Sequence, residues 1–150
     1  MLVSFDWQKR FITQRVGADR PPVPYPPQTT YPLKAWMDGI RYLRDQTSQN
    51  EVVMAGLTAG NFIPAYAGNF VYFGQTNTVD YERKYGQIED FFATRLSHQT
   101  ASRILNDGRV RYVFYSYQEK EFADGKDLAI FYPLLHPVYQ TNEVTIYMVK

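Results

Sequence analysis

The sequence predicts an α/β domain of three layers, with a mostly parallel central sheet that ends in an antiparallel C-terminal hairpin. Helical and strand patterns alternate through most of the folded part, as a parallel sheet requires. The first strand pattern, VVMA at 52–55, is apolar without alternation, which is typical of a strand buried on both faces. Two β-rich segments close the chain around Thr141-Asn142-Glu143 and predict a hairpin.

The first 33 residues differ in composition from the rest. They hold six of the nine prolines: Pro21, Pro22, Pro24, Pro26, Pro27 and Pro32. Proline fixes φ and lacks an N–H, so we expect an extended or polyproline segment. Trp7, Phe11 and Ile12 predict a short amphipathic turn that packs on the domain or touches a membrane surface. The predicted organisation is a linker over 1–33 and a single α/β domain over 34–150.

The folded part begins with a helix from about Leu33 to Thr47, because apolar residues recur there at helical spacing. After the first strand, Gly56–Gly68 predicts a loop with one helical turn around Phe62–Tyr66. Phe70–Phe73 predicts the second strand.

The strongest helical pattern follows. Its apolar stripe recurs at i, i+4, i+7, i+11 and i+15: Tyr81, Tyr85, Ile88, Phe92 and Leu96. Thr78 or Asp80 is expected to cap its start, and Gly86 weakens its middle. A shorter helix is expected to end at Gly108 as a C′ residue. Val110–Tyr115 predicts the third strand, since it is rich in β-forming residues.

A polar connection follows over 117–127, with a helical turn expected at Gln118–Ala123. The acidic residues in and around it are interpreted as solvated charges: Glu119, Glu121 and Asp124. Val138–Gln140 and Val144–Val149 predict the strands of the terminal hairpin.

Composition limits the function classes. A net charge of +1 without a basic cluster argues against a nucleic-acid partner, which needs a positive surface. The absence of cysteine excludes disulfides, thiolate metal sites and a cysteine nucleophile. His98 and His136 are far apart and fit no zinc spacing, so no metal and no cofactor are expected. No motif indicates a catalytic residue, and no run approaches the roughly 20 apolar residues of a membrane span.

The candidate ligand site lies in and beside the segment Gly56–Gly68. Free N–H groups after the first strand could bind an anion, although the spacing is not that of a nucleotide-binding loop. The simpler interpretation is that the glycines allow tight turns and close contacts. The polar and aromatic residues expected to line a pocket are Thr58, Gly60, Asn61, Tyr66, Tyr72 and Gln75.

Five segments stand in an informative order: WMDGIRYLRDQTSQNEVVMAG, TAGNFIPAYAGNFVYFGQ, DYERKYGQIEDFF, VRYVFYSYQEKE and HPVYQTNEVTIYMVK. This order, from about Leu33 to Lys150, resembles the C-terminal domain of bacterial polytopic membrane glycosyltransferases. These use polyprenyl-phosphate sugars and are similar to dolichyl-phosphate-mannose–protein mannosyltransferases. Two departures are Ala59, between Thr58 and Gly60, and Gln75, where such tails often carry histidine.

The resemblance implies a non-catalytic extracytoplasmic domain that follows a membrane region of the same polypeptide. It also implies a glycan or a lipid-linked sugar as partner, and no catalytic residue within this chain. Two alternatives stay open. One is a free-standing cytoplasmic enzyme or ligand-binding protein with its pocket at Gly56–Gly68. The other is an interaction module that uses an exposed aromatic patch.

Overall fold

The computed structural model describes residues 34–75 and 77–150. Its helices are α1 (Lys34–Gln46), α2 (Leu57–Tyr66), α3 (Tyr81–Phe92), α4 (His98–Asp107), α5 (Tyr117–Phe122) and α6 (Leu128–Phe131). Its strands are β1 (Val52–Met54), β2 (Phe70–Val71), β3 (Val110–Tyr115), β4 (Leu135–Gln140) and β5 (Thr145–Val149). The linker and the amphipathic turn expected within 1–33 lie outside the described residues, so the domain bounds stay predictions.

The strands form a five-stranded sheet in the order β2-β1-β3-β5-β4. β1 pairs in parallel with both β2 and β3, while β5 is antiparallel to β3 and to β4. Four of the five strands therefore point the same way. The predicted α/β class, with a mostly parallel sheet and an antiparallel C-terminal hairpin, is confirmed. The first hairpin strand begins at Leu135, three residues before the predicted Val138.

Helices cover both faces of this sheet. On β3, Val113 and Tyr115 belong to the core that α3, α4 and α6 share. Phe114 points to the opposite face, where its ring packs so closely on α1 that a Cβ on Gly39 would lie 3.0 Å from it. Val53 and Met54 of β1 are fully buried, which confirms a first strand covered on both sides.

The segment predicted as a loop with one turn is instead the ten-residue helix α2. Gly60 and Pro64 made the prediction wrong, since both residues disfavour helices in isolation. Pro64 lies in the last turn, where its missing N–H removes the helical hydrogen bond to the Gly60 carbonyl. Hydrogen bonds to distant side chains at the beginning of the helix compensate for this loss.

The start of α3 also differs from its prediction. Asp80 is the N-cap residue, but it has a φ of 57° and its side chain makes no capping hydrogen bond. Its carboxylate instead lies 2.9 Å from Arg83 Nη2. The Thr78 hydroxyl accepts a hydrogen bond from Gln75 N at 3.3 Å and so closes the preceding loop. The helix ends at Phe92, before Leu96 of the predicted stripe.

α4 begins at His98, where Ser97 caps it by accepting a hydrogen bond from Thr100 N at 3.2 Å. Gly108 ends it, but with a φ of −78° rather than the expected left-handed conformation. Arg109 takes that conformation instead, with a φ of 50°. Glycine is required at 108 because a Cβ there would lie 2.7 Å from the Tyr72 ring.

Gly86, in the middle of α3, is the opposite case. A Cβ at this position would meet nothing within 4 Å. We expect Gly86→Ala to raise the free energy of unfolding by about 0.5–1 kcal/mol, because alanine has the higher helix propensity. Urea unfolding followed by circular dichroism measures this change, and a destabilised variant would contradict it.

None of the helices between residues 34 and 150 that the structure describes is long and apolar enough to cross a bilayer.

Candidate functional site

A cleft of about 590 Å³ lies beside the end of β2. It is formed by one side of α2, by the loop that leads from β2 to α3, and by one residue of α3. Its described lining residues are Gly60, Asn61, Pro64, Ala65, Val71, Tyr72, Gly74, Gln75, Thr78, Val79 and Lys84. The volume lies within the range of roughly 300–1,000 Å³ that is usual for small-molecule sites.

Four of the six residues predicted for the pocket line this cleft: Gly60, Asn61, Tyr72 and Gln75. The structure does not bring the other two there. Thr58 is buried with 2% exposure, and its hydroxyl has no hydrogen-bond partner among the described residues. Tyr66 is 47% exposed, and its ring centroid lies 6.2 Å from that of Phe62.

The floor of the cleft is a contact between two backbones. A Cβ on Gly60 would overlap the carbonyl oxygen of Phe73 and lie 2.8 Å from Gly74 Cα. A Cβ on Gly74 would in turn overlap the carbonyl oxygen of Gly60. The two glycines therefore allow α2 and the loop after β2 to touch, which confirms the simpler interpretation of the glycines as residues for close contact.

The anion site considered at the start of α2 is closed by the protein itself. Gly56 N donates to Glu119 Oε1 at 2.5 Å, and Thr58 N donates to Gln118 Oε1 at 3.1 Å. These are the N–H groups that a helix start leaves without partners. Since α5 supplies both acceptors, an anionic ligand would have to displace them.

Glu119 was predicted to be a solvated charge, and this is wrong. It is fully buried, where Oε2 accepts from Ser116 N at 2.9 Å and bonds the Ser116 hydroxyl at 2.6 Å. Burial raises the pKa of Glu119, and the hydrogen bonds from Ser116 and Gly56 oppose that rise only in part. Its spacing from Ser116 is that of a capping box, which was the sequence signal for an ordered helix start here.

Lys84 is the charged residue of the described cleft lining, and the sequence did not indicate it. Its Nζ lies 4.9 Å from the centroid of the Tyr72 ring, and no carboxylate among the described residues pairs with it. Its neighbour Arg83 is neutralised by Asp80. The available signal was a lysine in the first turn of the helix that follows Gln75, one of the predicted pocket residues.

Tyr72 separates the cleft from a second one of about 310 Å³, whose described lining also includes Lys84 and Asp107. The Tyr72 hydroxyl donates to Gln87 Oε1 at 2.5 Å. Burial raises the pKa of Tyr72 above its usual 10.0, so the phenol is neutral near pH 7. Tyr72 therefore lines the cleft and contacts the Lys84 ammonium with its ring, while its hydroxyl donates its hydrogen bond to Gln87.

The arrangement is suited to binding a polar molecule. The described lining offers two amides, two hydroxyls and one ammonium group, but neither a carboxylate nor a histidine for general acid–base work. Within 34–75 and 77–150, no three potential metal ligands lie close enough together to hold an ion.

Large exposed side chains occur elsewhere on the described surface. Phe70, at the start of the edge strand β2, is 62% exposed, and Ile130 in α6 is 74% exposed. Tyr66, Phe70 and Ile130 are single exposed side chains on different elements, and the aromatic interaction patch stays a prediction.

Comparison with known proteins gives a likeness at the level of the fold. No protein-family model and no curated protein sequence matches the chain. Among solved structures, it is similar to the C-terminal globular domain of an oligosaccharyltransferase from Archaeoglobus fulgidus. The TM-score is 0.60 at 15% sequence identity, over 81% of this chain and 100% of that one. At this identity the likeness establishes a shared fold.

Proposed function

We propose that this chain is a non-catalytic domain on the extracytoplasmic side of a membrane protein that resembles lipid-linked-sugar glycosyltransferases. It assists that protein by contacting the acceptor or the sugar. The observation that carries the proposal is the fold likeness, which extends over the whole of a globular domain that an oligosaccharyltransferase carries at its C-terminus. The five-segment order in the sequence supports the same class independently.

The cleft supports a binding role over a catalytic one. Its amide and hydroxyl groups suit a polyhydroxylated ligand, and a glycosyl transfer would need a catalytic carboxylate that the described lining does not supply. In this proposal the reacting groups belong to the membrane region of the same polypeptide, and the domain orients one of the substrates beside them.

An antibody raised against residues 34–150 tests this proposal in cells that produce the protein. We expect an immunoblot band well above the 17.5 kDa of this chain, in the membrane fraction. Protease added to intact spheroplasts should remove the epitope, while a cytoplasmic marker protein survives. A band near 17.5 kDa in the soluble fraction would refute the proposal.

The second candidate function is a free-standing ligand-binding protein. The observation that favours it is the cleft itself, whose described lining residues all lie between Gly60 and Lys84. The immunoblot separates the two functions, because a free-standing protein gives the small soluble band.

A further inference from the structure

The described lining of the cleft carries one positive charge and no negative one. Lys84 is its one cation, and none of its described lining residues is acidic. Of the nearby carboxylates, Asp80 pairs with Arg83, and Asp107 lines the adjoining cleft, to which Lys84 also contributes without forming an ion pair. An ammonium without a carboxylate partner attracts an anionic ligand, and the hydrogen bonds that it donates to the anion are charge-assisted.

Lys84 is held in place for such a role. Its ammonium lies 4.9 Å from the centre of the Tyr72 ring, which attracts a cation through its negative face. Tyr72 is itself fixed by its hydrogen bond to Gln87, one turn further along α3. The side chain is therefore positioned before any ligand arrives, which lowers the entropy cost of binding.

The rest of the cleft offers neutral hydrogen-bonding groups. Asn61 uses its amide nitrogen on Leu57 O at 2.9 Å, which leaves Oδ1 available as an acceptor. The Gln75 side chain is exposed at the cleft and makes no hydrogen bond with a described residue. Pro64 and Val71 add apolar surface. Acceptors and donors beside apolar surface fit the hydroxyls and C–H groups of a sugar ring.

We propose that the cleft binds an acidic saccharide, a sugar that carries a phosphate or a carboxylate, with Lys84 contacting the anion and Asn61 and Gln75 contacting hydroxyls. The proposal deepens the proposed function and rests on it for the choice of saccharides. A failure of this proposal can be told apart from a failure of the proposed function, because the membrane location of the polypeptide is measured independently of ligand binding.

The test is a titration of the full chain, labelled with ¹⁵N, with glucose 1-phosphate, glucuronate, glucose and inorganic phosphate. We expect the two acidic sugars to bind at least tenfold more tightly than glucose or phosphate alone. Amide shifts should concentrate at Asn61, Gln75 and Lys84. The proposal would be overturned if glucose or phosphate alone bound as tightly as the acidic sugars, or if the acidic sugars did not bind at millimolar concentration. So would shifts centred on Gly56 and Thr58.

Lys84→Gln provides the matched variant, with Lys126→Gln as its control. Both remove one positive charge, but Lys126 lies over the Phe131 ring, outside the cleft lining. We expect Lys84→Gln to lower affinity for the acidic sugars roughly ten- to hundredfold, as for loss of a charged hydrogen bond. Lys126→Gln should bind like the wild type. Thermal unfolding by circular dichroism confirms that both variants are folded, and equal losses in both would contradict a role for Lys84.

Discussion

Gly60→Ala is expected to destabilise the domain by about 2 kcal/mol, because the clash of the added methyl group outweighs the gain in helix propensity. The added Cβ would collide with the Phe73 carbonyl and with Gly74 Cα, which are backbone atoms and cannot turn aside like a side chain. To make room, α2 and the loop after β2 would have to separate.

The sign of this effect follows from two opposing terms. Alanine at a helical position gains about 1 kcal/mol over glycine through helix propensity alone. Overpacking against a rigid neighbour costs about 1–3 kcal/mol, and sometimes more. The backbone contact places Gly60 at the high end of that cost, so the clash outweighs the propensity.

Urea unfolding of Gly60→Ala and Gly86→Ala side by side measures the difference. The substitution is chemically identical and both sites are helical, but a Cβ at Gly86 meets nothing within 4 Å. We expect opposite signs in the two variants. A Gly60→Ala protein as stable as the wild type would show that the backbones of α2 and of the loop after β2 are not in contact.

Glu119→Ala is expected to lower the free energy of unfolding by about 2–4 kcal/mol. The change leaves two backbone donors, Gly56 N and Ser116 N, without their acceptors, and each unpaired buried donor costs about 1–3 kcal/mol. Removal of a buried carboxylate returns part of this cost, since its desolvation penalty also disappears.

Glu121→Ala is the matched control because Glu121 lies on the same short helix and is exposed. Its effect on unfolding should stay within about 0.5 kcal/mol. Chemical denaturation of both variants gives the comparison. Similar losses in the two would mean that α5 is generally intolerant of substitution and that the Glu119 carboxylate has no special role.

The raised pKa of Glu119 also sets the sign of a pH effect. The folded protein holds this proton more tightly than the unfolded chain, whose glutamate titrates near 4.5. The stabilisation due to the bound proton is therefore complete below that pH and is lost as pH rises through the folded pKa. Relative to Glu119→Gln, the wild type should lose stability as pH rises above about 4.5. A relative gain over that range would refute the raised pKa.

The sequence predicted elements best where a local pattern and the tertiary structure agree. β3 has the predicted bounds, Val110–Tyr115, because its β-forming residues also fill both cores. α1 runs over Lys34–Gln46, close to prediction, since Trp36, Ile40 and Leu43 form one fully buried side. The alternation of such elements was enough to predict the α/β class.

The predictions that were wrong or incomplete have a common cause, which is that the structure there depends on contacts between distant parts of the chain. α2 contains glycine and proline and has no cap of its own, so its local sequence favours a loop. The acceptors that complete its start come from Gln118 and Glu119, more than fifty residues later. Four cleft residues were predicted correctly because they lie in or beside the segment Gly56–Gly68, which its glycines single out in the sequence. Lys84 was missed because its direction depends on how α3 packs.

The hydrogen bonds between the start of α2 and α5 have a consequence for how the domain folds during translation. Gly56 and its acceptor Glu119 are separated by 63 positions, so translation delivers the start of α2 long before the groups that complete it. Closing so long a loop carries an entropic cost that only later, cooperative packing repays. The start of α2 therefore depends on residues from the C-terminal half of the chain to complete its hydrogen bonds. A nascent chain halted before Ser116 would hold β1 and α2 unfinished, and would be a natural substrate for chaperones.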